Sequence, residues 1–140
     1  MGDPREIIVG YDGSEHAREA VRRACALAGE GSRITVVTAY HVPPEIATFE
    51  PFEDLRRAFA SSAKEVLETA RGEVPEGPFQ VEFVTREGTP AEVLTAVAAE
   101  RGGDLVVVGS HGVGRLHAAL GGVTSKLLHD APCPIVVVPK

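Results

Sequence analysis

Five short runs rich in valine and isoleucine, separated by connections long enough to hold helices, constrain this 140-residue chain more than any other feature. They are residues 6–11 (EIIVGY), 33–40 (RITVVTAY), 79–85 (FQVEFVT), 104–109 (DLVVVG) and 134–138 (PIVVV). β-Branched side chains suit a pleated, buried surface. A parallel neighbour cannot be reached by a tight hairpin; it needs a crossover of a dozen residues or more, usually a helix. Strand, helix, strand repeated four times therefore predicts an α/β fold, an open five-stranded parallel sheet with right-handed crossovers and helices on both faces. The length suits one sizeable core, so residues 1–140 are expected to form a single domain.

The connections carry helical periodicity. Residues 14–28 place Ala17, Ala20, Val21, Ala24 and Ala28 on one face. Residues 52–71 do the same with Leu55, Phe59, Ala63, Val66, Leu67 and Ala70. The third helix opens with Thr89-Pro90-Ala91-Glu92, a capping box with proline at the first helical position, and should bury Leu94, Val97 and Ala98. The fourth should run over 122–129 and stop before Pro132 and Pro134. Residues 42–52, with three prolines, and 72–78 read as loops.

The strands differ. The third alternates, with Phe79, Val81 and Phe83 on one side and Gln80 and Glu82 on the other, which predicts an edge strand with one wet face. The first and fourth are apolar on both faces and should be central. The fifth is apolar throughout yet last in the chain. At the opposite edge it would be an exposed apolar strand, which proteins avoid. A second copy is therefore expected to cover Ile135, Val136, Val137 and Val138 in a two-fold homodimer. The alternative is that helix packing buries them, with Pro139 and Lys140 blocking further pairing.

Composition excludes several classes. Acids outnumber bases for a net charge of −6, with both signs mixed along the chain, so no basic stripe offers itself to a nucleic acid. No apolar run is long enough to cross a membrane, and the first residues lack a signal-peptide pattern. Cys25 and Cys133 lie far apart in apolar surroundings and are expected to be reduced and structural, as in the cytoplasm.

The segment Gly109 to Thr124 (GSHGVGRLHAALGGVT) holds five of the fifteen glycines and follows the fourth strand directly. In open parallel sheets ligands bind beyond the carboxyl ends of the strands. Gly109 and Gly112 let backbone approach an anion, and successive N–H groups can form a concave nest. Gly121, Gly122, Val123 and Thr124 open the fourth helix, whose first N–H groups have no partners within it. Thr124 and Ser125 add hydroxyls, and Arg115 a charge. Phosphate needs no positive net charge for this. Asp12, at the exit of the first strand, is either an Asp-Gly turn residue or a carboxylate for a ribose hydroxyl or a divalent cation on the phosphates; Ser14 is a helix cap. His111 and His117 read as solvated loop residues, and with His129 lack metal-ligand spacing. There is no P-loop, no GxGxxG after a strand, no GxSxG elbow, no HxGH pair and no defensible nucleophile or general base.

Three stretches, IIVGYDGSEHAREAVRRACALA, EGTPAEVLTAVAAERGGDLVVVGSHG and LGGVTSKLLHDAPCPIVVVP, give the chain a resemblance to the universal stress protein family. The middle, residues 41 to 78, matches only in layout. The resemblance implies a Rossmann-like sheet of order 3-2-1-4-5 and a dimer through the fifth strand. It also implies ATP bound through G-x2-G-x9-G followed by Ser or Thr. Gly109, Gly112 and Gly122 or Gly121 would then contact phosphates, Asp12 the ribose or metal region, and Ala39 the adenine through its backbone. The motif departs from the family pattern. Nine residues after Gly112 comes Gly122, followed by Val123 rather than a hydroxyl, whereas counting to Gly121 leaves the spacer one short. A missing hydrogen bond to a charged phosphate weakens binding by roughly 1.5–3 kcal/mol.

The expected function is thus a cytoplasmic, dimeric stress-response regulator that holds ATP, or ADP or AMP, with Mg, and acts on an unknown protein partner. Two alternatives stand beside it, a nucleotide-independent interaction module and a slow ATP hydrolase. No enzymatic activity beyond slow hydrolysis is expected.

Overall fold

The computed structural model describes residues 3–46, 51–110 and 122–139. Five strands, β1 (Glu6–Gly10), β2 (Arg33–Tyr40), β3 (Gln80–Glu87), β4 (Leu105–Gly109) and β5 (Ile135–Val138), form one sheet. Four helices, α1 (Glu15–Leu27), α2 (Phe52–Glu68), α3 (Pro90–Arg101) and α4 (Gly122–Asp130), fill the connections. Every strand pairing is parallel, in the order β3-β2-β1-β4-β5. The chain winds one way from β1 to β3 and the other way from β4 to β5, so the order reverses between β1 and β4.

Alternation along the central strands divides the core. Ile7, Val9, Ile34, Val36 and Val107 face α1 and α2, where Ala17, Ala20, Val21, Ala24 and Leu67 meet them. Ile8, Val37, Val106 and Val108 face α3 and α4, where Leu94, Val97, Ala98 and Leu127 meet them. Alanines on the inner face of α1 let the helix lie close to the sheet. Cys25 belongs to the first layer and Cys133 packs against the second, so the sheet separates two free thiols. Burial pushes both thiols above their ordinary range.

β3 is an edge strand with Gln80, Glu82 and Glu87 exposed. It extends two residues beyond the expected end. Arg86 pairs with Glu100 at 2.8 Å, Glu87 with Arg56 at 2.9 Å, and Gly88 donates its N–H to the Tyr40 carbonyl at 2.8 Å. The second helix ends before Arg71 and tightens into a 3₁₀ segment, Thr69–Glu73. There Thr69 Oγ1 donates to the Val66 carbonyl at 2.6 Å and lies 2.5 Å from the Tyr11 hydroxyl. The capping box on α3 is half realised. Thr89 Oγ1 accepts no helix N–H and instead donates to Glu92 Oε1 at 2.6 Å. β5 lies at the sheet edge opposite β3, with Ile135, Val136 and Val137 half-buried and Val138 buried.

Candidate functional site

The exits of β1, β2 and β4 and the first turns of α3 and α4 enclose a cavity of about 580 Å³. It lies where the strand order reverses, the position that open parallel sheets use for ligands, and its size suits a small organic molecule. Val37, Ala39, Ala91, Leu94 and Val108 give it an apolar wall. Asp12, Ser110, Thr124 and Lys126 supply polar groups.

Each exit is fixed by its own bonds. After β1, Tyr11 donates its N–H to the Val37 carbonyl at 2.9 Å, and its carbonyl accepts from Thr38 Oγ1 at 2.9 Å. Asp12 Oδ1 accepts the Ser14 N–H at 3.0 Å, closing a turn in which Gly13 takes φ +83°. Ser14 Oγ then caps α1 by accepting from Ala17 N–H at 3.1 Å. After β4, Ser110 donates its N–H to the Val138 carbonyl at 3.0 Å, and its hydroxyl lies 3.2 Å from His16 Nδ1. At the opening of α4, the buried Thr124 donates its hydroxyl to the Gly109 carbonyl at 3.3 Å. That bond ties the start of α4 to the end of β4.

Of the residues singled out from sequence, Asp12, Ala39, Gly109, Gly122, Val123 and Thr124 line this cavity together. Ser125 is exposed and is not among its lining. Gly112, Arg115 and Gly121 lie outside the described residues, as do His111 and His117. Gly109 and Gly122 differ in their surroundings. A Cβ on Gly109 would sit 2.5 Å from His16 Cβ and 2.8 Å from its backbone carbon, whereas one on Gly122 meets no described atom within 4 Å. Gly109 is thus required by the packing of α1 on β4, and Gly122 is not required by any described neighbour.

Sequence reasoning missed Lys126, Ser110 and the first turn of α3. Lys126 was findable, because it follows Gly122 by four residues in a predicted helix and so shares its face. Across the mouth, the Glu92 carboxyl is held below its usual range, first by the Thr89 hydroxyl, then by the Thr89 N–H, with smaller help from the charges of Lys126 and His41. No cluster of three or more metal-ligating side chains occurs among the described residues. No described helix is long and apolar enough to cross a membrane.

Comparison with known proteins agrees with this architecture. The model of the universal stress protein family matches residues 4–139. A universal stress protein from Thermus aquaticus, encoded in the QAH/OAS sulfhydrylase 3′ region, is 32% identical over 96% of this chain and 98% of its own length. Among solved structures, MJ0577 from Methanocaldococcus jannaschii matches with a TM-score of 0.85 at 25% identity, covering 99% of this chain and 98% of that one. An Arabidopsis thaliana universal stress protein family member, solved with AMP bound, has a TM-score of 0.67 over 98% of this chain and 92% of that one. At 18% identity it speaks for the fold alone. All five strands and every lining residue of the cavity fall inside the span that the family model matches, and the chain belongs to the universal stress protein family.

Proposed function

We propose that this protein binds an adenine nucleotide, ATP or its products ADP and AMP, in the cavity at the strand exits, and acts as a stress-response regulator rather than as a catalyst. The observation that carries this reading is the convergence of an apolar pocket with the glycine-flanked opening of α4. The wall of Val37, Ala39 and Leu94 suits a flat base. The first N–H groups of α4 suit phosphate, because they have no partners within the helix and the helix dipole is positive there. Gly109, Gly112, Gly121, Gly122 and Val123 are the proposed phosphate contacts, with Arg115 and Thr124 as supporting groups. Ala39 offers backbone to the base, and Asp12 a carboxylate to the ribose or to Mg carried on the phosphates. Turnover is expected to stay below about 1 s⁻¹, the low end of ordinary enzymes.

The proposal extends to a homodimer through β5, supported by its half-buried apolar residues at a sheet edge, and to a cytoplasmic setting, supported by two free thiols.

One observation favours a second reading, a nucleotide-independent interaction module. The motif lacks a hydroxyl after Gly122, and the nearest substitute, Thr124, already commits its proton to the Gly109 carbonyl.

Titration calorimetry with Mg·ATP decides between them, using wild type beside Gly122→Val, with circular dichroism to confirm that both are folded. Wild-type binding that the variant loses supports the phosphate cradle. Absence of binding by wild type at millimolar nucleotide removes it and leaves the interaction module.

A further inference from the structure

Lys126 is the only cationic side chain among the described residues that line the cavity. It projects from the first turns of α4, one helical turn beyond Gly122 and on the same face. Its only acidic counterpart in the lining is Asp12. Just outside, on α3, the Glu92 carboxylate accepts from the Thr89 hydroxyl at 2.6 Å. No described carboxylate lies within ion-pair distance of the ammonium group.

We infer that Lys126 is the residue through which this cavity distinguishes nucleotides by their number of phosphates. The inference rests on the nucleotide-binding reading of the same site. Its physical basis is separate. The helix N-terminus offers a fixed half charge and N–H groups that a single phosphate can use up. Each further phosphate brings negative charge that needs a mobile cation, and a lysine on a flexible stem supplies one. An apolar wall does not register phosphate number, so the base and ribose contribute the same amount to every member of the series.

The test is calorimetric titration of adenosine, AMP, ADP and ATP at fixed ionic strength and pH 7.5. The variants are Lys126→Gln and Lys126→Arg. Glutamine and arginine are close to lysine in helix propensity, so the melting temperature should hold in both. Wild type should bind ATP more tightly than AMP. Lys126→Gln should weaken ATP by about tenfold, the loss of one charge-assisted contact, while leaving adenosine unchanged. Lys126→Arg should restore most of the difference. Equal effects of Lys126→Gln on adenosine and ATP, or no effect on either, overturn this inference while leaving nucleotide binding intact. Wild type that binds no nucleotide overturns both.

Discussion

A methyl group on Gly109 would lie 2.5 Å from His16 Cβ and 3.0 Å from its carbonyl oxygen, and backbone cannot be moved aside by a rotamer change. Gly109→Ala should therefore cost about 1–3 kcal/mol, the usual penalty of overpacking, seen as an earlier urea midpoint. Gly122→Ala should leave that midpoint unchanged or raise it slightly, because at this helical position its Cβ meets no described atom within 4 Å. If phosphate approaches the α4 N-terminus, the same methyl group should weaken Mg·ATP by about tenfold, one charged hydrogen bond lost. A Gly122→Ala variant that binds as wild type would remove Gly122 from the cradle. The sequence makes these two glycines look alike, since both flank a turn after an apolar run. What separates them is a neighbour on α1, distant along the chain, and no local pattern reports it. Asp12 shows a similar division. Its Asp-Gly turn was legible, and the bond to Ser14 N–H bears that part out. Whether the carboxylate also serves a ligand is a matter for the titration, for which Asp12→Asn is the suitable variant because it keeps an acceptor for Ser14.

The elements themselves were the most legible part of this chain. Period-two alternation marked β3 as an edge, and unbroken apolar runs marked β1 and β4 as central, because burial on two faces leaves no room for a polar position. Element ends were less legible where tertiary bonds decide them. β3 continues through Arg86 and Glu87 because α3 and α2 supply Glu100 and Arg56, and α2 gives way to a 3₁₀ turn where Thr69 meets Tyr11. Asp104 is a further case. The sequence pattern makes it the first residue of the fourth strand, but its carboxylate stitches β4 to β1 by accepting the N–H groups of Arg5 and Glu6 at 2.9 and 3.0 Å. Those bonds, that to Glu6 first, hold its carboxyl below the ordinary range. A lowered folded-state value means that the stabilisation is present above the unfolded value, near pH 4, and is lost as pH falls through the folded value. Asp104→Ala should cost about 1 kcal/mol at pH 7, reduced from the buried case by its exposure. The gap between wild type and variant should close progressively below about pH 4. Urea melts at pH 7 and pH 3 provide the check, and a gap that stays constant would show that the bonds are not charge-dependent.

At the scale of the whole molecule, the open question is what β5 meets. Its pairing with β4 uses the carbonyls of Pro134 and Val138, which accept from Val106 and Ser110. Carbonyls alternate along a strand, so those of Ile135 and Val137, with their N–H groups, face away from the sheet. An exposed row of this kind, carried by half-buried branched side chains, is a template for another strand. Two-fold symmetry would pair β5 with its own copy in an isologous contact. Val137→Pro tests this without disturbing the monomer's own ladder. It removes an outward N–H and leaves the bonds to β4 in place, a situation in which proline is tolerated in a sheet. If β5 is the dimer interface, wild type should scatter light as twice the chain mass at micromolar concentration, and Val137→Pro as the single chain with an unchanged circular dichroism spectrum. If wild type is already monomeric, helix packing alone covers β5, and the edge is left open for a partner of another kind. A dimer that survives Val137→Pro would instead place the contact elsewhere on the surface and detach the oligomer from the sheet.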